Sequence, residues 1–194
     1  MRNGDILPED KEDLLKFLLP HAYPKGTSRK VFDLNGGKFC FSMRSPLLGE
    51  GKEDNYSQPK VVKVACFYES GRFYGISDNI REWDVWSQVR DKPELAKWFC
   101  PVADISDCGR YLVMLKCDPI APEDIPEMIP DFLEDVHDAN WGMLTHEGVT
   151  RPVMLDYGHI RPKYIPSDFQ LINQQKKAAR ENGLSDADAP LDAE

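Results

Sequence analysis

Three features common in other protein classes are missing from this sequence: a long apolar run, a CxxC cysteine pair and an excess of basic charge. The longest apolar runs are strand-sized, which excludes an ordinary membrane-spanning helix. The five cysteines are odd in number and lie mostly within apolar segments, as reduced core cysteines do, so we expect a cytoplasmic protein. The start of the chain also lacks the basic, apolar and cleavage regions of a signal peptide.

The charge balance limits the classes of partner. The net charge is −9, whereas binding to nucleic acid relies on a basic surface. We therefore expect neither nucleic acid nor membrane among the partners. Residues 184–194 are acidic and poor in apolar side chains, a composition typical of a disordered, solvated tail.

Length and hydrophobic content together allow a packed core. With 194 residues, 41% of them hydrophobic, the chain suffices for one domain or for one domain built from two small lobes. Residues 1–25 are predicted to contain an amphipathic helix opened by Pro8 and Glu9. The later order of strands, helix, strand, irregular linker and hairpin predicts an α+β fold, with a mostly antiparallel sheet in the N-terminal half.

Local patterns place the elements of that half. The strongest strand is the β-branched run "KVVKVACFY", and a tight turn at Asn35-Gly36-Gly37 joins two further strand-like runs, "SRKVFDL" and "KFCFSM". The segment "NIREWDVWSQVR" is predicted to be a helix whose apolar residues recur on one face, namely Ile80, Trp83, Trp86 and Val89. A short helix follows in "KPELAKWF" and a strand in "YLVML".

The C-terminal half is less regular. The proline-rich stretch "DPIAPEDIPEMIPDFL" can hold only short helical turns. Two short strands are expected at residues 141–145 and 153–155, on either side of "HEGVTRP". The segment "QLINQQKKAAREN" predicts a polar helix that ends at Gly183.

Acidic and amide side chains are concentrated in "DVHDANWGMLTHEGVTRPVMLDYG", residues 135–158. Asn140 precedes the predicted hairpin and Asp156 follows it, so the hairpin can bring the two together. An Asn and an Asp on converging loops offer the hard oxygen ligands that Mg²⁺ prefers, and Asp135 can accept a proton from a hydroxyl. The alternative is that Asp135 and Asn140 are ordinary turn residues, hydrogen-bonded to their own backbone.

A lysine interrupts the best-predicted strand. Lys63 lies in the middle of "KVVKV", where a lysine needs a partner or a ligand unless it points to solvent. Alternation with Val62 and Val64 permits the solvent-facing alternative. Glu82, early in the following helix, is a natural partner, although a glutamate on a helix is usually solvated.

Taken in order, these motifs resemble the protein-kinase-like superfamily. "DVHDAN" followed by "MLDYG" is similar to its catalytic and metal-binding loops, in the Asp-x-His-x-x-Asn form found in aminoglycoside phosphotransferases and related small kinases. "LNGGKFCFSMRSPLLGE…KVVKV" resembles the glycine loop and lysine strand of the early serine/threonine protein kinases of short-tailed coliphages. "YLVML" falls where the strand before the adenine-binding hinge is expected, and the resemblance covers residues 34–158.

The resemblance implies a protein-kinase-like fold with a small antiparallel-sheet N-lobe over residues 26–118 and a reduced C-lobe over residues 119–183. It also implies ATP and Mg²⁺ as cofactors. Asp135 would be the catalytic base, and Asn140 and Asp156 would bind the metal. Lys63 would hold the α- and β-phosphates while pairing with Glu82.

The remaining site residues follow from the same resemblance. Gly36 and Gly37 would let the backbone cover the phosphates, and the hinge would be formed by Lys116, Cys117 and Asp118. His137 would fix the conformation of the catalytic loop rather than act as a base. The short, proline-rich interval before Asp135 and the short chain after Gly158 leave no helical platform for peptide substrates.

Three functional hypotheses follow. The first is a minimal kinase, phage-encoded and acting in the host cytoplasm on Ser or Thr of a host or viral protein. The second is a kinase-like binding module, a pseudokinase, that occupies a host protein partner. The third is a metal hydrolase that uses His137, His146 and His159 with nearby aspartates, although no HExxH or comparable ligand spacing is present.

Overall fold

The computed structural model describes residues 28–33, 58–67, 73–146, 148–161, 163, 165–175 and 177. Several predicted features lie outside the described residues: the N-terminal helix, the turn at Gly36 and Gly37, the strand "KFCFSM", the acidic tail and the end of the polar helix. The chain divides into two compact units. Within the described part, no helix is long and apolar enough to cross a membrane.

The first unit, Met1–Trp83 with Pro101–Lys116, contains an antiparallel five-stranded sheet. Its strands are β1 (Arg29–Asp33), β2 (Lys60–Phe67), β3 (Phe73–Tyr74), β4 (Val102–Ile105) and β5 (Tyr111–Leu115). The order is β1-β2-β5-β4, and β3 pairs with β2. The predicted α+β class and the antiparallel sheet in the N-terminal half are therefore confirmed.

Strand β2 is central because its β-branched residues pack on both sides of the sheet. Val62 is fully buried in a cluster with Phe32 and Val113, and the next residue, Lys63, is only 6% exposed. Lys63 lies between Val31 of β1 and Leu112 of β5. The alternative in which Lys63 points to solvent is therefore wrong, because both faces of β2 are covered at this position.

The predicted helix at residues 79–90 is present as α1, Ile76–Val89, which begins three residues earlier and buries a different face. The buried positions are polar at Asn79 and Glu82 and apolar at Val85 and Val89, whereas Ile80 is 42% exposed. Trp83 and Trp86 are half-buried. The predicted apolar face was wrong because Asn79 and Glu82 are buried with hydrogen-bond partners, which a hydrophobic pattern cannot reveal. Asn79 Nδ2, for example, donates to the carbonyls of Gly109 and Arg110 at 2.9 and 3.1 Å.

The second unit, Asp84–Cys100 with Cys117–Glu194, holds short elements. Its helical pieces after α1 are α2 (Pro93–Ala96) and 3₁₀ turns at Pro122–Asp124 and Asp138–Asn140. Its strands are β6 (Met128–Pro130), β7 (Trp141–His146), β8 (Val149–Met154) and β9 (Leu171–Asn173). The hairpin β7–β8 is confirmed with longer strands than expected, and it turns at Gly148.

The pairing of β6 with β9 corrects two predictions. Leu171–Asn173 is a strand where the sequence predicts the start of a polar helix, and Met128–Pro130 is a strand inside the proline-rich stretch. Each strand has three residues, too few to show a two-residue period. Proline is tolerated in β6 because Pro130 stands at the strand end of a two-stranded sheet.

An aromatic cluster fixes the chain that follows the β7–β8 hairpin. The rings of Phe99 and Tyr157 are fully buried, with their centroids 5.0 Å apart in an edge-on arrangement. The Tyr157 hydroxyl, the only polar group of this side chain, donates to the carbonyl of Cys100 at 2.8 Å. The residue immediately before this anchor is Asp156.

Gly75, which has a positive φ, tests how tightly the first unit packs around β1, and Gly148 in the second unit serves as its control. A Cβ at Gly75 (φ 88°) would lie 2.5 Å from Ser28 O and from Arg29 Cγ, whereas a Cβ at Gly148 (φ 77°) would meet nothing within 4 Å. We expect Gly148→Ala to lower the free energy of unfolding by about 1 kcal/mol, the cost of the left-handed backbone alone. Gly75→Ala should cost at least about 3 kcal/mol, because a steric clash adds to that strain. Urea denaturation of both variants measures the difference, and equal losses would contradict this packing.

Candidate functional site

A buried ion pair joins the central strand to helix α1. Lys63 Nζ lies 2.9 Å from both carboxylate oxygens of Glu82, so the two residues that the sequence suggests as partners are in contact. Glu82 is fully buried and Lys63 is 6% exposed. Strand β2 holds the lysine between two neighbours, and the second turn of α1 holds the glutamate. The ammonium group is therefore fixed in position rather than free to sample solvent.

Arg29 is a third member of this cluster. Its Nη1 lies 3.0 Å from Glu82 Oε1 and 3.4 Å from Asn79 Oδ1, and the residue is 5% exposed. The β1–β2 register places Val31 opposite Lys63, so Arg29, two residues away on the same face, is a diagonal neighbour of the lysine. Arg29 is not predicted from the sequence, because an arginine at the start of a strand carries no signal of burial until the strand register is known.

The predicted hinge residues, Lys116, Cys117 and Asp118, follow directly after β5. Lys116 makes an ion pair with Asp33 through its side chain and donates its backbone N–H to Pro59 O at 2.8 Å. Asp118 exchanges two backbone hydrogen bonds of 2.9 Å with Met143. Among the residues that the structure describes, none hydrogen-bonds to the backbone N–H or C=O of Cys117. The backbone of Cys117 is thus the available donor and acceptor in this segment.

The Asp135 loop is organised by hydrogen bonds to a carboxylate and a carbonyl of the same residue. Asn140 Nδ2 donates to Asp135 O at 2.8 Å and to Asp135 Oδ2 at 3.0 Å. His137 Nε2 lies 3.3 Å from Oδ1, and His159 Nε2 lies 3.6 Å from Oδ2. Asn140, His137 and His159 therefore surround the Asp135 carboxylate, whose side chain remains 37% exposed. The carboxylate is therefore oriented and also accessible.

The backbone of Asp135 has a left-handed conformation, with φ 57°. This region is uncommon for residues other than glycine, although Asp and Asn adopt it more readily than others. The next residue, Val136, is fully buried, and its carbonyl accepts hydrogen bonds from Gln174 Nε2 at 2.6 Å and from Trp141 Nε1 at 3.5 Å. The loop is held by these contacts in a conformation that costs about 1–3 kcal/mol on its own.

The hairpin brings the backbone of the two predicted metal ligands together. Trp141 pairs with Met154, and Leu155 N donates to Asn140 O at 2.7 Å. Asn140 and Asp156 therefore lie on opposite sides of the open end of this hairpin. Asn140 is opposite Leu155, and Asp156 is the next residue along the chain. The Asn140 amide nitrogen is used by Asp135, which leaves the amide oxygen as the atom that can bind a metal.

The histidines of the hydrolase hypothesis do not form a ligand set. His137 and His159 both contact Asp135, whereas His146 ends strand β7, about 20 Å along the chain from Asn140 at 3.3 Å per residue. In the described part of the chain, no group of three or more His, Cys, Asp or Glu residues is placed to hold a metal ion.

No family model, no curated protein and no solved structure matches this chain.

We expect substitutions in the buried cluster to lower the free energy of unfolding by different amounts. Glu82→Gln leaves Lys63 and Arg29 buried without their carboxylate, so we expect a loss of about 3–5 kcal/mol in the free energy of unfolding. Lys63→Met should cost less, since Glu82 keeps Arg29 at 3.0 Å and methionine fills similar space. The matched control is Glu94→Gln, which breaks an exposed pair with Lys97 and should change stability by less than about 1 kcal/mol. Chemical denaturation gives all three values, and a larger loss in Lys63→Met than in Glu82→Gln would contradict the central role of the carboxylate.

Proposed function

We propose that this chain is a minimal ATP- and Mg²⁺-dependent kinase that transfers a phosphoryl group to Ser or Thr of a protein. The observation that carries the proposal is the buried Lys63–Glu82 pair, a fixed ammonium on the central strand of an antiparallel sheet. In this proposal the first unit is a kinase-like N-lobe and the second a reduced C-lobe. The protein would be phage-encoded and would act on host or viral proteins in the host cytoplasm.

Burial of a lysine lowers the stability of the fold unless its charge is compensated, so a buried lysine in a strand needs an explanation. Apolar residues of similar volume often replace buried ion pairs without loss of stability. A preorganised ammonium is useful for a different reason, because it stabilises phosphate charge without having to reorganise during the reaction. Lys63 is proposed to bind the α- and β-phosphates, and Glu82 and Arg29 to keep it in position.

The Asp135 loop supplies the second half of the proposed chemistry. The acceptor hydroxyl would donate its proton to Asp135 while its oxygen attacks the γ-phosphorus, and the bond from that phosphorus to the β-phosphate oxygen breaks to release ADP. Asn140 and His137 orient the Asp135 carboxylate, which matches a reaction that depends mainly on positioning. The left-handed backbone conformation of Asp135 also helps to set the direction of its carboxylate.

Asn140 and Asp156 are proposed to hold Mg²⁺ through the amide oxygen and the carboxylate, the hard ligands that this ion prefers. When bound, Mg²⁺ would neutralise charge on the phosphate oxygens. The adenine would bind the backbone N–H and C=O of Cys117, with Lys116 and Asp118 held on either side by their own bonds. Gly36 and Gly37 would cover the phosphates and lie outside the described residues.

The short helical elements in the described part of the second unit favour one alternative, the pseudokinase. Among the described residues between Cys117 and Lys177, helical structure is confined to the 3₁₀ turns at Pro122–Asp124 and Asp138–Asn140, to Lys163, and to residues 174, 175 and 177. The described residues of this stretch contain no long helix that could serve as a platform for a protein substrate. In the alternative, the same surfaces bind nucleotide or a host protein without phosphoryl transfer.

The catalytic role of Asp135 is tested by Asp135→Asn. Asparagine tolerates the left-handed backbone, so we expect stability to change by less than about 1 kcal/mol. The rate of ³²P transfer from γ-labelled ATP and Mg²⁺ to protein in a host lysate should fall by about 10²–10⁴-fold, because no base remains to accept the proton. Glu134→Gln, an exposed substitution in the adjacent residue, is the control and should keep full activity. Equal transfer by Asp135→Asn and wild type would overturn the assignment.

The metal role of Asp156 is tested by varying the Mg²⁺ concentration. Asp156→Asn removes one anionic ligand, so the Mg²⁺ concentration that gives half-maximal transfer should rise by about tenfold or more. Asp168→Asn, an exposed aspartate of the same unit, should leave it unchanged. Stabilisation of the wild type by ATP and Mg²⁺ in thermal melts, with no transfer to any protein, would instead support the pseudokinase. Stabilisation by Zn²⁺ alone would favour the hydrolase.

A further inference from the structure

Two thiols are in contact within the second unit. The Cys117 thiol donates to Cys100 Sγ at 3.6 Å, and both cysteines are reduced. The sulfurs are therefore within about 1.5 Å of the separation in a disulfide, which is about 2.05 Å. Both residues belong to the same compact unit, so their distance is set within it. A small displacement of one side chain suffices to bond the two sulfurs.

Cys100 is the fixed member of the pair. It is only 1% exposed, and its backbone N–H donates to Met154 O at 2.9 Å. Its carbonyl accepts the hydroxyl of Tyr157, a fully buried residue, at 2.8 Å. Both backbone groups of Cys100 are thus bonded to buried residues, so its sulfur can react only with a group that is already beside it.

Cys117 is the accessible member. The residue is partly exposed, and its Cβ packs closely against strand β7, where an added Cβ at Gly142 would lie 2.9 Å away. In the part of the chain that the structure describes, no group hydrogen-bonds to its backbone, whereas the next residue, Asp118, exchanges two bonds with Met143. Cys117 can therefore meet a reagent from solvent and can also shift towards Cys100.

The pair suits oxidation better than metal binding. A structural zinc site uses four ligands, and no group of three or more His, Cys, Asp or Glu residues is placed to hold a metal among the described residues. An accessible thiol beside a second thiol is instead the arrangement of a redox-sensitive cysteine with its resolving partner. Among the described cysteines, no other two thiols are in contact.

We propose that Cys117 is a redox modification site at which a hydroperoxide forms a reversible disulfide with Cys100. The Cys117 sulfur attacks a peroxide oxygen, the O–O bond breaks, and a sulfenic acid forms while an alcohol, or water from hydrogen peroxide, is released. The Cys100 sulfur then attacks Cys117 Sγ, the S–O bond breaks, and the hydroxyl leaves as water with the Cys100 proton. The sulfurs together lose the two electrons that the peroxide gains. A dithiol reverses the bond by exchange.

The disulfide would regulate nucleotide binding, and this step rests on the proposed function. The backbone of Cys117 is the group proposed to bind adenine. Because Cys100 is held at both backbone groups, Cys117 supplies most of the displacement of about 1.5 Å that the bond requires. Hydrogen-bond lengths vary by only about 0.5 Å, so such a displacement disrupts the bonds to adenine. Oxidation therefore weakens ATP binding, and reduction restores it.

The disulfide is tested without nucleotide, on the full chain carrying Cys108→Ser. This parent is needed because one tryptic peptide, residues 98–110, contains both Cys100 and Cys108. After treatment with hydrogen peroxide, mass spectrometry of the non-reduced digest should find the peptides of Cys100 and Cys117 linked, and dithiothreitol should separate them. Absence of the linked peptide, or its persistence in dithiothreitol, would overturn the proposal.

The order of the two steps is tested by trapping sulfenic acid with dimedone. In Cys100→Ser, made in the same parent, no resolving thiol remains, so Cys117 should be labelled at least about tenfold more than in the parent. In Cys117→Ser the buried Cys100 should stay unlabelled. Equal labelling of Cys117 with and without Cys100 would contradict the resolving role. The linked peptide needs neither substitution, so it decides the proposal even where a serine destabilises the fold.

Regulation is tested by the Kd of ATP with Mg²⁺ for the oxidised and the reduced parent. We expect oxidation to raise Kd by at least about tenfold, as the loss of one or two hydrogen bonds implies, and dithiothreitol to reverse the change. Equal Kd values would overturn the regulatory role. A reduced protein that binds no ATP would instead refute the proposed kinase, and the linked peptide would still decide whether Cys117 is the modification site.

Discussion

The ion pair between Lys63 and Glu82 is the constraint on which the first unit depends. Once both charges are buried, neither side chain can leave its partner without leaving a charge uncompensated, at a cost of several kcal/mol. That requirement sets the rotation of helix α1 so that Glu82 faces the strands and Ile80 faces solvent. It also ties strand β1 to the cluster through Arg29, whose Cγ occupies the space where a side chain at Gly75 would stand.

The second unit uses hydrogen bonds from neutral side-chain donors for a similar purpose. The Asn140 amide bonds both the carbonyl and the carboxylate of Asp135, and the buried carbonyl of Val136 holds the next residue in place. Because these bonds come from within the loop, from β7 and from the segment after β9, the orientation of Asp135 depends on chain far from it in sequence. A loop of short polar residues would otherwise sample many conformations.

In the proposed kinase, the two sets of contacts would supply the fixed charge and the oriented carboxylate from different units. Phosphoryl transfer depends mainly on fixed charges and oriented groups. A few buried contacts can hold such groups in place without a large helical lobe.

The sequence by itself determined the α+β class, strand β2, helix α1 and the β7–β8 hairpin, because their patterns are local and long enough to show a period. It also indicated Lys63 and Glu82 as partners, since a lysine in an apolar strand needs one. Only the tertiary structure decided that Arg29 joins them, that α1 buries Asn79 in place of Ile80, and that β6 pairs with β9. Each of these depends on contacts between residues distant in sequence, and a buried polar side chain is recognisable only when its partner is known.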